Sequence, residues 1–236
     1  MSASEPTVLV TGANRGIGLA IARVYLARGW NVVATARRPA EATALRELAA
    51  MQSRLAIEPL DVTDPAQVDA LAARWRGRPI DVLVNNAGII ARESQRFGSI
   101  DYAVFRQVLE TNTVAPLKLT EALMPSLRAG AQRKIATISS GEGSLGSVTS
   151  ARVYSYRASK AAVNMLMLNL AYELRPEGFA VGLLNPGPVD TDMMKNAPIA
   201  LRPVDDAAAR LVVLIDRLSV DTTGRFWDVT GVELPW

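Results

Sequence analysis

Hydrophobic positions along the chain follow two alternating rhythms. Short runs that are apolar throughout and rich in β-branched residues are each followed by a longer stretch whose apolar positions recur at helical spacing. "TVLVT" (7–11), "RGIGLAIARVYLARG" (15–29) and "NVVATA" (31–36) predict a strand, a helix and a second strand. The alternation continues with a helix at "EATALRELAAM" (41–51), a strand at "RLAIEPLDV" (54–62), a helix at "PAQVDALAARWRG" (65–77) and a strand at "IDVLVNNAG" (80–88). Long helices are predicted from about 101 to 128 and over 154–175, and further strands at "KIATISS" (134–140), "AVGLLNPG" (180–187) and "GRFWDV" (224–229). Uniformly apolar strands that alternate with helices imply a parallel sheet covered on both faces. The expectation is therefore an α/β chain with a doubly wound parallel sheet of about seven strands. Ligands should bind beyond the carboxyl ends of those strands.

Composition narrows the function classes without changing the fold. The 236 residues are 49% hydrophobic and 21% charged, and no Pro/Ser/Gly-rich linker interrupts them, so one domain is expected over residues 1–236. Cysteine and histidine are both absent, which removes thiol nucleophiles, Ser-His-Asp triads, the usual Cys/His zinc sites and disulfides. No metal is expected. The opening "MSASEPT" lacks the basic and apolar regions of a secretory signal, and no apolar run reaches the ~20 residues that span a bilayer, so a cytoplasmic protein is expected. The net charge of +3 is spread among nearly as many acids as bases, which speaks against a nucleic-acid partner.

The first turn carries chemistry. "TGANRGIG" (11–18) follows a predicted strand and opens a predicted helix, which puts Gly12, Gly16 and Gly18 where the backbone turns tightly, approaches a pyrophosphate and packs helix against sheet. The spacing is G-x-x-x-G-x-G. A glycine cluster alone also marks ordinary turns, but the strand–loop–helix context favours phosphate binding.

Further motifs follow in a fixed order: "LDV" (60–62), "NNAG" (85–88), Asn112 in "ETNTVAP", "ISS" (138–140), "YRASK" (156–160) and "NPGPVDT" (185–191). From about residue 7 to the carboxyl end, the chain resembles the single-domain short-chain dehydrogenases/reductases, which have a Rossmann fold. "YSYRASKAAVN", "NPGPVDTDM" and "GRFWDVTGVELPW" are most similar to the C-factor and sniffer carbonyl-reductase branch.

Tyr156 and Lys160 lie four residues apart and so share one face of a helix, whereas Tyr154 has no lysine at that spacing. A phenol, with an ordinary pKa of about 10, is a poor proton carrier at neutral pH, and a nearby ammonium favours its phenolate. The resemblance implies that Tyr156 protonates a carbonyl oxygen as hydride arrives, or deprotonates an alcohol in reverse. It implies that Lys160 activates Tyr156 and binds the nicotinamide ribose, that Ser140 hydrogen-bonds the substrate carbonyl, and that Asn112 kinks the long helix and holds a water beside the lysine. Ser140 stands three residues farther from the tyrosine than in many relatives, whose spacing would put the serine at Gly143. Ser139 and Ser144 are the alternatives, and the extra residues should form a longer substrate-side loop.

Cofactor choice is read at the end of the second strand, "VVATARRP". A site for NAD would carry an acid there, to bond the ribose 2′-hydroxyl; here Arg37 and Arg38 follow Ala36, and Arg15 lies in the glycine loop. Guanidinium groups suit a 2′-phosphate, so NADP(H) is expected. By resemblance, Asn14, Arg15 and Ile17 belong to the dinucleotide site with the glycines, Asp61 and Val62 contact the adenine, and Asn86, Ala87 and Gly88 pass under its ribose. Pro186, Gly187, Val189 and Thr191 then form the nicotinamide-side loop. The segment 191–204, "TDMMKNAPIALRPV", stands where the family places a mobile lid. Its Met193, Met194 and Ile199 either face an apolar ketone or aldehyde or pack onto the protein itself.

The resulting expectation is an NADP(H)-dependent oxidoreductase acting on a small-molecule carbonyl or alcohol. Two alternatives stay open: an NADP(H)-binding signalling or regulatory protein of the same fold with little turnover, and an unrelated doubly wound protein such as a methyltransferase. The resemblance implies that a homo-oligomer would pair through the long helices near 101–128 and 154–175, while sniffer-type relatives include monomers, so the oligomeric state stays open.

Overall fold

The computed structural model describes residues 5–91, 96–195 and 198–236. Seven strands form one sheet: β1 (Thr7–Val10), β2 (Asn31–Ala36), β3 (Leu55–Pro59), β4 (Val82–Asn85), β5 (Lys134–Ile138), β6 (Ala180–Asn185) and β7 (Phe226–Asp228). Their order is β3-β2-β1-β4-β5-β6-β7, and all neighbours are parallel. The helices are α1 (Gly16–Ala27), α2 (Thr43–Met51), α3 (Pro65–Trp75), α4 (Tyr102–Leu109), α5 (Ala115–Ala129), α6 (Tyr154–Leu174) and α7 (Val204–Arg217).

The period of two along the strands sorts side chains between two cores. Val8, Val10, Val32, Ala34, Val82, Val84 and Leu184 point to a layer with Leu19, Tyr25 and Leu45 and with Leu211 and Ile215 of α7. Leu9, Val33, Leu83, Ile135, Val181 and Leu183 point to the opposite layer, against Leu71 of α3, Leu119, Leu123 and Leu127 of α5, and Val163 and Met167 of α6. This is the doubly wound architecture expected from the sequence. Among the described residues, no helix is long and apolar enough to cross a membrane.

The sheet differs from the expected elements in two ways, both at its carboxyl edge. Several strands end two or more residues earlier than the apolar runs suggested, because Thr11, Leu60 and Ser139 each donate one last bond to the neighbouring strand or its end before the chain leaves the ladder. The long helix that the periodicity predicts is interrupted at Asn112, where the resemblance implies a kink. Residues Glu110–Val114 form a π-helical turn between α4 and α5, with Asn112 at its centre. Such turns are frequent at functional sites, and hydrophobic periodicity, which averages over several turns, does not detect them.

At the opposite edge Asp81 acts as a fastener. Its buried carboxylate accepts from Thr7 N–H at 2.8 Å, Ala131 N–H at 2.8 Å and Gln132 N–H at 3.3 Å. These bonds tie the start of β1 to the turn that enters β5, leaving the carboxyl edge free to carry chemistry.

Candidate active site

The strand order reverses between β1 and β4, so their following loops diverge and leave a crevice, the place where doubly wound sheets bind ligands. Thr11 and Asn86 join the two lips. Thr11 Oγ1 accepts from Asn86 N–H at 2.9 Å and Ala87 N–H at 3.0 Å, while Asn86 Nδ2 donates to Thr11 O at 2.8 Å and Gly12 O at 3.2 Å. The contact is close enough to require glycine. A Cβ on Gly12, whose φ is +63°, would lie 3.0 Å from Ala87 Cα; one on Gly18 would lie 2.5 Å from Asn86 Nδ2 and 2.7 Å from Gly12 O. Gly16 also has a positive φ, +56°, and faces Thr191. Arg15 is the N-cap residue of α1, no side chain caps the helix, and its first turn holds no acid. An uncapped helix start beneath a glycine turn presents backbone N–H groups and the positive end of the helix dipole to an anion.

Two of the three arginines are engaged in ion pairs. Arg15 Nη1 pairs with Asp192 Oδ2 at 2.5 Å, spanning the glycine loop and the loop after β6, and Arg38 pairs with Glu41 at 3.1 Å. Arg37 is exposed and has no ion-pair partner among the described residues. At the end of β3, Asp61 Oδ1 accepts from both Thr63 N–H and Thr63 Oγ1, and Gln67 Oε1 accepts from Asp61 N–H, so the "LDV" turn is held by its own side chains and Val62 is half-buried.

Asn112 fixes the loop after β4 rather than merely bending a helix. Its Oδ1 accepts from Ile89 N–H at 2.8 Å, and Nδ2 donates to Ile89 O at 2.8 Å and Ser159 Oγ at 3.0 Å. Both amide protons are thereby used on protein. Gly88 sits in the resulting corner: a Cβ there would be 3.3 Å from Asn112 Oδ1 and 3.8 Å from Lys160 Nζ. Thr113 Oγ1 adds a bond to Ser159 O at 2.9 Å.

Lys160 lies at the centre of this arrangement. Its side chain is buried, Nζ donates to Ile138 O at 2.8 Å, and the ammonium stands 5.7 Å from the Tyr156 ring centre. Burial penalises the charged form and lowers the lysine pKa to about 8. Tyr156, one helical turn earlier, is half-buried, whereas Tyr154 is exposed. The Lys160–Ile138 bond also brings the tyrosine helix against the end of β5, two residues before Ser140.

The candidate serines occupy different environments. Ser139 and Ser144 are both buried; Ser139 Oγ donates to Asn164 Oδ1 at 2.5 Å and Ser144 Oγ to Ser147 Oγ at 2.8 Å. Ser140 is half-buried, and its Oγ accepts from Glu142 N–H at 3.2 Å, which leaves the hydroxyl proton for another acceptor. At position 143 no side chain fits, because a Cβ would lie 2.7 Å from Lys160 C. The shifted spacing therefore reflects Gly143 packing directly on α6, with the added residues displaced into a loop that contains the short turn Leu145–Ser147.

After β6, Gly187 has φ +70° and donates its N–H to Asn185 Oδ1 at 3.1 Å, and Val189 is buried. Asp190 N–H donates to Arg202 O, and Arg202 N–H to Pro188 O, closing the base of the expected lid. Within that segment residues 196 and 197 lie outside the described residues; Met193 and Ile199 are exposed. The first four residues of "MSASEPT" likewise lie outside them. A cavity of about 490 Å³ lies beside the lid base, between Asn185, Pro188, Leu201 and Val229. No group of three or more potential metal ligands occurs among the described residues.

Several residues that build the site carried no separate signal in the sequence. Thr11 and Ser159 sit inside quoted motifs without a distinguishing pattern, and Asn164, Glu142 and Asp192 act through partners distant in sequence.

Known proteins share the sequence pattern and the fold. Residues 6–201 match the short chain dehydrogenase family. The chain is 40% identical, over 98% of its length and 99% of the relative's, to 1-hydroxy-2-glutathionyl-2-methyl-3-butene dehydrogenase of Rhodococcus sp. (strain AD45). It is 42% identical to C-signal of Myxococcus xanthus over 67% of its length and 93% of that protein. Among solved structures, an NADPH-bound carbonyl reductase from chicken fatty liver superposes with a TM-score of 0.92 at 35% identity, covering 98% of this chain and 99% of that one.

Proposed function

The chain belongs to the short-chain dehydrogenase family, and from that premise we propose that it is an NADP(H)-dependent oxidoreductase that reduces a small apolar ketone or aldehyde, or oxidises the matching alcohol. The observation that carries this reading is the buried Lys160 ammonium one helical turn from Tyr156, on a helix bonded to the end of β5, two residues before Ser140.

The residues present fit a dinucleotide. Gly12 and Gly18 let the glycine turn pack tightly against Ala87 and Asn86, and the uncapped start of α1 that this turn leads into offers N–H groups to a pyrophosphate. Asn14, Arg15, Gly16 and Ile17 would line that turn, with Asp61 and Val62 toward the adenine and Asn86, Ala87 and Gly88 along its ribose. Arg37 and Arg38 would hold the 2′-phosphate, and Pro186, Gly187, Val189 and Thr191 the nicotinamide side. The similar chicken enzyme is itself bound to NADPH. When bound, the cofactor supplies or accepts the hydride.

The protein's own groups manage the proton. A carbonyl that gains hydride becomes an alkoxide, and Tyr156 delivers the proton to that oxygen. Burial makes the lone Lys160 ammonium unfavourable, and a phenolate beside it relieves this cost, so the lysine eases release of the tyrosine proton. Ser140, with its oxygen already bonded to Glu142 N–H, donates a hydrogen bond to the developing alkoxide and keeps its proton. In the direction of alcohol oxidation, which the name of the Rhodococcus relative suggests, Tyr156 accepts the proton instead. Asn112 keeps Gly88 and Ile89 against Lys160, so that the lysine meets the ribose from a fixed position.

A second reading, a cofactor-binding signalling protein, draws on similarity to C-signal. Tyr156, Lys160 and Ser140 together favour turnover.

Dissociation constants for NADPH and NADH, followed by cofactor consumption with aromatic diketones, quinones, aldehydes and sugars, test the proposal. Tighter binding of NADPH and fastest turnover of apolar carbonyls are expected. Equal constants for the two cofactors would remove the role of Arg37 and Arg38, and preference for charged aldehydes or sugars would remove the apolar substrate class. Tight NADPH binding without turnover would favour the signalling reading.

A further inference from the structure

The added residues between β5 and α6 are not a free loop. Glu142 lies between the two elements that carry Ser140 and Tyr156, and it touches both. Its backbone N–H donates to Ser140 Oγ at 3.2 Å. Its carboxylate takes Arg157 Nε at 2.5 Å and Arg152 Nη2 at 2.5 Å. Arg157 immediately follows Tyr156, and its guanidinium also donates to Ser150 O in the added loop. Next to Glu142, Gly143 rests on the backbone of Lys160.

The environment distinguishes this cluster from surface ion pairs elsewhere in the chain. The Glu142 side chain is 26% exposed and that of Arg157 only 15%. Burial alone would raise the carboxyl pKa, but hydrogen bonds and charge from Arg152 and Arg157 outweigh it and hold the group below its ordinary range. Between the two arginines, Val153 adopts φ 39° and ψ 55° at the start of α6. A β-branched residue in the left-handed region is strained and persists only where its surroundings impose it. Arg152 and Arg157 flank that residue and grip one carboxylate.

We propose that Glu142 is a positioning residue, which sets the distance between Ser140 and Tyr156 by clamping the first turn of α6 to the turn that orients the serine hydroxyl. The inference rests on the catalytic reading of Ser140 and Tyr156. Neither the carboxylate nor the arginines need touch the substrate. The clamp offers a physical reason why three additional residues are compatible with the site: the loop between Glu142 and Arg152 lies outside the link that joins the serine turn to the first turn of α6.

Glu142→Gln and Arg157→Gln, singly and together, test it in the full-length protein, with Tyr156→Phe as a parallel control. Either single substitution should lower kcat at least tenfold, while the NADPH dissociation constant stays within twofold and the melting temperature within a few degrees. The double variant should lose no more than the worse single one, because both break the Glu142–Arg157 contact that carries the clamp. Val153→Gly, added to Glu142→Gln, should restore kcat at least threefold by removing the strain that the clamp opposes. Unchanged kcat in Glu142→Gln, additive losses in the double variant, or loss of cofactor affinity in step with kcat would each overturn the positioning role. Full turnover by Tyr156→Phe would instead overturn the catalytic reading on which it rests. A Tyr156→Phe variant that is inactive alongside a fully active Glu142→Gln would leave that reading intact and refute the clamp alone.

Discussion

The two halves of the carboxyl edge are held by different physics. On the β1–β4 side, the lips of the crevice are joined through backbone: Thr11 and Asn86 bond to main-chain groups, and Gly12 and Gly18 allow approaches that no side chain permits. On the β5–β6 side, loops are tied by charged side chains: Glu142 to Arg152 and Arg157, and Asp192, across the edge, to Arg15 of the glycine loop. Backbone joints fix one geometry and tolerate little sequence change. Side-chain ties can be lengthened, moved or exchanged, which would suit the half proposed to meet a variable substrate, whereas the other half would meet an invariant dinucleotide.

The sharpest way to break this contrast is Gly18→Ala. The added methyl would meet Gly12 O at 2.7 Å and an Asn86 amide that is itself pinned, so backbone must move. Overpacking of this kind costs about 3 kcal/mol, and urea unfolding should show it together with loss of cofactor binding.

Lys160 offers a second test, through pH. Its folded pKa, lowered to about 8, lies beneath the unfolded value of about 10.4, so the native state releases its proton first. The burial penalty is present in full below pH 8, and stability rises as pH climbs toward about 10.4, by about 2–3 kcal/mol. Urea unfolding at pH 7.5 and 10 should show this gain in the native protein, and it should be absent from Lys160→Met.

Removing the arginines at the end of β2 should be milder and selective. Arg37→Ala with Arg38→Ala is expected to weaken NADPH about 10- to 100-fold, through loss of charge-assisted bonds, and to leave NADH within twofold. Equal weakening of both cofactors would mean that the pair shapes the loop rather than binding a 2′-phosphate.

The smallest effect belongs to the Arg15–Asp192 tie, whose side chains are 67% and 64% exposed. Asp192→Asn should change stability by less than about 1 kcal/mol, and salt titration should erase even that. A large, salt-independent loss would place this contact with the rigid joints of the other half.

The same contrast explains what the sequence made legible. Alternating apolar runs disclosed the sheet, its helices and its two cores, because each strand residue in the middle of the sheet faces one layer or the other. The glycine loop was legible because a position that excludes a Cβ leaves a glycine in the sequence. Tyr156 and Lys160 were legible because a spacing of four places them on one helical face. The π turn at Asn112 was legible only through the resemblance, which implies a kink there, since one extra residue in a helical turn scarcely alters hydrophobic periodicity. Glu142 and Asp192 were not, because a carboxylate acquires its role from an arginine that only the fold brings near. Likewise, Arg15 was read as a phosphate ligand from its motif alone, and its pairing with Asp192 depends on a contact 177 residues away.

The central claim is that Tyr156 moves the proton while neighbouring groups hold the cofactor. Single-turnover oxidation of saturating NADPH by a reactive diketone, compared between the native protein and Tyr156→Phe, tests it most directly when the NADPH dissociation constant of each is measured alongside. The account predicts a rate about 10³-fold lower with the constant unchanged. A rate within tenfold of the native one, or a loss that merely tracks weakened NADPH binding, would contradict it.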